Sequence, residues 1–306
     1  MRLESVVLNV QDVSKSIGKT PIIHNVSFDL MRGEVLGLLG PNGSGKTTIL
    51  KMLVGLLKPT AGTIRIDGAD IQKAFEKAIK HIGAIIENPE LYDYLSGYDN
   101  LVHFSHMSES SNHERIEEVI KLLRMEDYIH DKVRTYSLGM KQRLGLGQAL
   151  LHQPSILLLD EPTNGLDPEG MMELRQLLVK LAKEQGVAVI ISSHQLAEVE
   201  LICDSILVIK NGSIIERSKL REDSASTVQS YTFRIINIHE ATPIIEAMNL
   251  PNLTLVSDGF QVELSEKEVA KLNKRLINHD IDVVGIKKSE KTLEDRFLNT
   301  LKGRSK

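Results

Sequence analysis

The sequence predicts an α/β chain in two parts: a large domain with antiparallel β and helical subdomains, and a small C-terminal α+β domain. Three observations predict it. A glycine-rich turn joins an apolar strand to a helix, apolar strands alternate with amphipathic helices, and a second α/β series follows a polar stretch at 222–230. With 306 residues, 42% hydrophobic and 25% charged, the chain can fill both cores.

Residues 6–10, 22–30 and 63–66 are rich in β-branched side chains and punctuated by the turns Arg32-Gly33 and Asp67-Gly68, so they read as strands. Residues 34–40 form an apolar strand running into the glycine-rich turn. A helix follows over 46–57 and stops before Pro59. From about 88 to 150 helical spacing takes over, with Ile116, Val119, Ile120, Leu122 and Leu123 on one face. The alternation resumes with strand 156–159, helix 171–184, strand 187–192, a helix near 195–202, and strands 206–210 and 213–216. Residues 222–230 are small and polar and read as a linker between domains 1–221 and 231–306. Beyond it, strand 231–237, helix 241–249, strands 253–256 and 260–264, helix 266–278 and strand 281–286 follow in β-α-β-β-α-β order, the ferredoxin-like split βαβ arrangement. A last helix is expected from about Leu293.

Composition narrows the function classes. The formal net charge of −4 leaves no overall footprint for nucleic acid. Cys203 is the single cysteine, so no internal disulfide forms; beside Leu201 and Ile202 it reads as a small core residue in a reducing compartment. The longest apolar runs, 156–159 and 187–191, are strand-sized, far below the ~20 residues that cross a bilayer. The start Met1-Arg2-Leu3-Glu4 lacks the apolar run of a secretory signal. A cytoplasmic location is expected. His103, His106 and His113 have no accompanying cysteine or carboxylate pattern and read as a solvated face rather than metal ligands.

The chemistry starts at Gly40-Pro41-Asn42-Gly43-Ser44-Gly45-Lys46-Thr47, with Thr48 following. The glycines let the backbone curl so that N–H groups point at phosphate oxygens, and the helix start adds positive potential. Lys46 can reach the β- and γ-phosphates of ATP, and Thr47 can ligate Mg²⁺. Apolar residues 156–159 then deliver Asp160 and Glu161 to a strand's carboxyl end, where open α/β sheets bind ligands. Asp160 can hold Mg²⁺ through water, and Glu161 can orient or deprotonate the attacking water. Acidic strand ends are common by themselves; behind a phosphate loop this one gains meaning.

Tyr136-Ser137-Leu138-Gly139-Met140-Lys141-Gln142-Arg143-Leu144 resembles the signature motif of ABC ATPases, with Leu138 in place of the usual first glycine. Asn164-Gly165-Leu166-Asp167-Pro168 resembles that family's D-loop, and Ser192-Ser193-His194 its switch-histidine segment. The resemblance runs from about Val6 to Glu216. It implies a P-loop ATPase cassette in which Ser137 and Gly139 contact the γ-phosphate bound by a second copy, so that a homodimer sandwiches two ATP molecules. It also implies that Asp167 belongs to the nucleotide site and that His194 positions the hydrolytic water. An integral-membrane permease partner and a peripheral position on the inner face of the cell membrane follow from the same resemblance.

Two positions depart from the family. Where its loop normally carries glutamine, this chain has Glu87, which keeps an oxygen for Mg²⁺ and is expected to face Asp160 and Glu161. Where an aromatic residue stacks on adenine, this chain has Ile17 before Gly18. The Glu87-Asn88-Pro89 variant, with the segment 292–298, is similar to exporters conferring bacitracin resistance or lantibiotic immunity. Competing readings are a soluble ABC ATPase acting on ribosomes or nucleic acid, and a regulatory cassette with little turnover. The first usually carries two cassettes or long insertions, and the second is disfavoured by Glu161 and His194.

Overall fold

The computed structural model describes residues 5–107, 113–220, 229–236, 238–248 and 250–288. It divides into two compact units, Met1–Leu220 and Arg221–Lys306.

The first unit opens with strands β1 (Val6–Ile17) and β2 (Thr20–Met31), an antiparallel hairpin in which Ile17 pairs with Thr20. Both strands outrun the apolar residues that announce them, because the hairpin pairs polar residues as well. The apolar strand β3 (Val35–Leu39) is buried throughout. Helix α1 (Lys46–Leu53) ends four residues short of its expected limit, where Gly55 takes a left-handed φ of 75°. Strands β4 (Ala61–Ile66) and β5 (Ala69–Asp70) complete a four-stranded sheet in the order β2-β1-β4-β5.

Helix α2 (Phe75–Ile79) and strand β6 (Ile82–Ile85) lead into the helical segment. There α3 (Gly97–Ser105) starts at a capping box between Ser96 and Asp99, whose carboxyl is held below its usual range chiefly by the Ser96 hydroxyl. In α4 (His113–Leu122), Ile116, Val119 and Ile120 are buried on one face, as their spacing predicts. Helix α5 (Leu138–Leu150) follows. The α/β alternation then resumes through β7 (Ile156–Asp160), α6 (Pro168–Gln185), β8 (Ala188–Ser193), α7 (Leu196–Ile202), β9 (Ser205–Lys210) and β10 (Ser213–Lys219).

The second sheet runs β10-β9-β3-β8-β7-β6, parallel except for β10. The fully buried Leu50 of α1 belongs to one apolar cluster with Leu8 and Leu30 of the antiparallel sheet and Leu158 and Ile190 of the parallel one. Emptying such a position, Leu50→Ala, costs about 2–5 kcal/mol. Cys203 is buried, as expected. Parallel register aligns Leu39 with Ser193 and Asp160 with Ser192, so the carboxyl ends of β3, β7 and β8 converge.

The imidazole of His152, after α5, meets the Ile82 carbonyl at 2.9 Å, and burial lowers its pKa. A depressed base favours the unfolded chain once pH falls below the unfolded value of about 6.5. Stability is therefore expected to drop between pH 7 and 5, and His152→Gln should flatten that part of the melting-temperature profile.

The second unit holds β11 (Gln229–Ile235), α8 (Ile238–Ala247), β12 (Thr254–Val256), β13 (Gly259–Leu264), α9 (Glu266–Asn278) and β14 (Val283–Lys288). Its sheet order, β12-β13-β11-β14, is antiparallel throughout and matches the split βαβ arrangement. Stacked Phe233 and Phe260 anchor its core, with ring centroids 5.0 Å apart. Gln229 and Ser230, expected in the linker, instead pair with Leu264 and Glu263, since backbone pairing does not require apolar side chains. The other linker residues, 222–228, and the helix expected from Leu293 lie outside the described residues.

Candidate active site

The turn after β3 is shaped by its glycines. Gly45 has φ 109°, a conformation that L side chains rarely adopt, and a Cβ there would have to displace Ile23 Cδ1 at 2.5 Å. Pro41, Asn42 and Gly43 are exposed; Ser44 and Lys46 are buried, and Thr48 is half-buried. The Ser44 hydroxyl is buried without a hydrogen-bond partner. Such a group is costly to leave unmade, and a phosphate oxygen at this turn would satisfy it.

Lys46 Nζ donates to Gly40 O at 2.8 Å and sits 3.5 Å from Glu161 Oε1. Glu161 in turn has Oε2 2.7 Å from His194 Nδ1. A cation from the start of α1, a carboxylate after β7 and an imidazole after β8 thus form one chain beside the glycine turn. Glu161 adopts φ 48°, a left-handed conformation uncommon for a residue with a side chain.

Thr47 Oγ1 donates to Asp160 Oδ2 at 2.8 Å, and the Ser192 hydroxyl donates to Asp160 Oδ1. Ser192 Oγ also accepts from the Glu161 amide at 2.9 Å. The paired hydroxyl and carboxylate are hard oxygen donors of the kind Mg²⁺ takes when substrate phosphates supply further ligands, so the residues fit that ion. Sequence reasoning assigned no role to Ser192. The signal is its register opposite Asp160, which becomes visible only once the strands are paired.

Glu87 follows β6 and stands by the two acids the sequence reading set it against. It lines a cleft of about 300 Å³ with Asp160 and Glu161. Yet its side chain is 64% exposed, and its Oε1 is 2.6 Å from Lys51 Nζ. A nearby ammonium is a better neighbour for a carboxylate than two other acids, and Lys51 on α1 supplies it. Ile17 closes the β1–β2 hairpin and is 57% exposed, leaving its apolar side chain open to a ligand.

Ser137 caps α5: its hydroxyl accepts from the Met140 amide at 3.3 Å. The buried Tyr136 before it donates to Tyr128 O at 2.8 Å, and burial pushes its pKa up to about 12, so the phenol stays a neutral donor. Asp167 caps α6, accepting from the Gly170 amide at 3.0 Å, so this carboxylate is engaged within its own chain. Ser137, Gly139 and Asp167 line a cleft of about 530 Å³ between α5 and α6, bridged where Arg143 pairs with Glu173. The helical-segment histidines make local contacts: His103 packs edge-on to Tyr92, and His113 Nδ1 meets the Tyr98 hydroxyl at 2.9 Å.

This fold and strand-end chemistry define a nucleotide-hydrolysing cassette, and the comparisons agree. The ABC transporter family model matches residues 23–164. The chain belongs to the ATP-binding proteins of ABC transporters. It is 47% identical over 292 residues to the "uncharacterized ABC transporter ATP-binding protein YhcH" of Bacillus subtilis (strain 168), covering 95% of each chain. It is 35% identical to the bacitracin transport ATP-binding protein BcrA of Bacillus licheniformis, covering 98% of each. Among solved structures, the dimeric post-hydrolysis state of the ATP-binding cassette MJ0796 bound to ADP and Pi superposes with a TM-score of 0.64 at 27% identity, over 70% of this chain and 99% of that one. The chain is therefore an ATPase of the ABC class. ATP-binding proteins of this class work with membrane permeases and dimerise. Among the described residues no helix is long and apolar enough to cross a membrane.

Proposed function

We infer that this chain powers an exporter, with a peptide antibiotic or a similar amphipathic compound as its cargo. The observation that carries the ATPase half is the Lys46–Glu161–His194 chain beside a turn with an unsatisfied serine hydroxyl. The cargo half is supported by similarity to a bacitracin transport protein along nearly the whole chain.

Backbone N–H groups of residues 42–48 cradle the triphosphate, and Ser44 finds its missing partner there. Lys46 exchanges the Gly40 carbonyl for the β- and γ-phosphates. Thr47 and Asp160 would hold Mg²⁺, which would supply charge to neutralise that developing on the phosphates. Glu161 accepts the proton of the attacking water, and His194, steadied by Glu161, meets the γ-phosphate. The start of α5, with Ser137 and Gly139, offers N–H groups to the nucleotide held by a second copy of this chain. The working unit is then a homodimer on the inner face of the membrane, bound to a permease.

Ile17 rests on the adenine as a plain apolar contact. Ile17→Tyr is expected to tighten ATP binding by about 1 kcal/mol through stacking, with kcat unchanged. Calorimetric titration with ATP checks it; unaltered affinity would place adenine elsewhere.

The exporter reading is tested in cells. Loss of the chain should raise sensitivity to bacitracin-type or lantibiotic peptides, and the wild-type chain should restore resistance where Glu161→Gln does not. Unchanged sensitivity across such a panel would contradict it.

A further inference from the structure

The turn opening α5 and the loop after β7 interlock within one chain. A Cβ on Gly165 would lie 2.4 Å from Leu138 Cδ2, and one on Gly139 would lie 3.4 Å from Leu166 Cδ2. Leu138-Gly139 therefore faces Gly165-Leu166, each leucine seated on the other pair's glycine. The φ of Gly165 is 76°, a left-handed conformation that favours glycine. Gln142 Nε2 adds a hydrogen bond to Asn164 O at 3.2 Å.

The stretch between this interlock and Glu161 is short and internally bonded. The Asn164 amide donates to Glu161 O at 3.1 Å, and the Leu166 amide donates to Thr163 O at 3.1 Å. Two successive turns thus link Glu161 to Leu166. Leu138 is 49% exposed, so its side chain reaches Gly165 from outside the main core. It also lines the cleft that holds Glu161.

We propose that Leu138 is a positioning residue for hydrolysis. Its seat on Gly165 ties the α5 turn, which meets the second copy's nucleotide, to the loop that carries Glu161 in the same chain. Engagement of one site then orients the carboxylate of the other. This rests on the sandwich-dimer reading above.

The test uses full-length Leu138→Ala and Leu138→Met. Methionine keeps an apolar side chain of similar volume, whereas alanine removes it. Leu138→Ala is expected to lower kcat about tenfold with the KM for ATP within about twofold, and Leu138→Met to stay within about twofold of wild type in both. Wild-type kcat in Leu138→Ala, equal losses in both variants, or a loss confined to KM would overturn the proposal. The mass of Glu161→Gln with ATP and Mg²⁺ separates the two readings. A dimer there, together with undiminished Leu138→Ala turnover, removes the interlock alone; a monomer removes the sandwich and the interlock with it.

Discussion

Lys46→Ala is expected to weaken ATP binding at least about a hundredfold, to the point where turnover is not measurable. Lys46 is 6% exposed and is held among loop carbonyls and the Glu161 carboxylate. Each charge-assisted hydrogen bond contributes roughly 1.5–3 kcal/mol, and the ammonium makes at least two with a bound triphosphate. Removing it also leaves Glu161 facing phosphate oxygens without a screening cation, so repulsion adds to the lost attraction. Calorimetric titration with Mg²⁺·ATP reads the affinity, and circular dichroism reports whether the variant is folded. A folded variant with wild-type affinity would remove Lys46 from the site.

Glu161→Gln is expected to keep ATP affinity within a few fold and to lose about 10²–10⁴ in kcat, the range of a missing general base. Glutamine preserves the shape and an oxygen near Lys46 but cannot take a proton from water. The His194 contact, at 2.7 Å in the native chain, survives as a neutral hydrogen bond. Steady-state phosphate release over a range of ATP concentrations separates kcat from KM. Normal turnover would mean that another group accepts the proton.

What the sequence discloses depends on how local the interaction is. Residues 40–48 are legible because their chemistry is contiguous: glycines, a lysine and two threonines act within one turn. Asp160 and Glu161 are nearly as plain, since an apolar strand ends on them. Ser192 is hidden because its role comes from lying opposite Asp160 in a parallel pair more than thirty residues apart in sequence. The Lys51 partner of Glu87 is hidden for the same reason: the two lie on separate elements and meet only in the folded chain. Likewise, the mutual seating of Leu138 and Gly165 is tertiary, although both residues belong to recognisable motifs. In the fold, α2 and β6 are too short to show a period. In the small domain each helix and strand carries its own pattern; α9 spans Glu266–Asn278, the limits read from the sequence.

The most direct test of the account is the solution mass of Glu161→Gln, by light scattering, with and without ATP and Mg²⁺. The chain mass is 34.1 kDa. A glutamine at 161 that blocks hydrolysis should leave two ATP molecules clamped between the glycine turn of one copy and the α5 turn of the other. The account predicts a monomer without nucleotide, a dimer of twice that mass with Mg²⁺·ATP, and a return to monomer when Ser137→Trp blocks the α5 turn. A mass that ignores nucleotide, in protein shown to bind ATP, would contradict it.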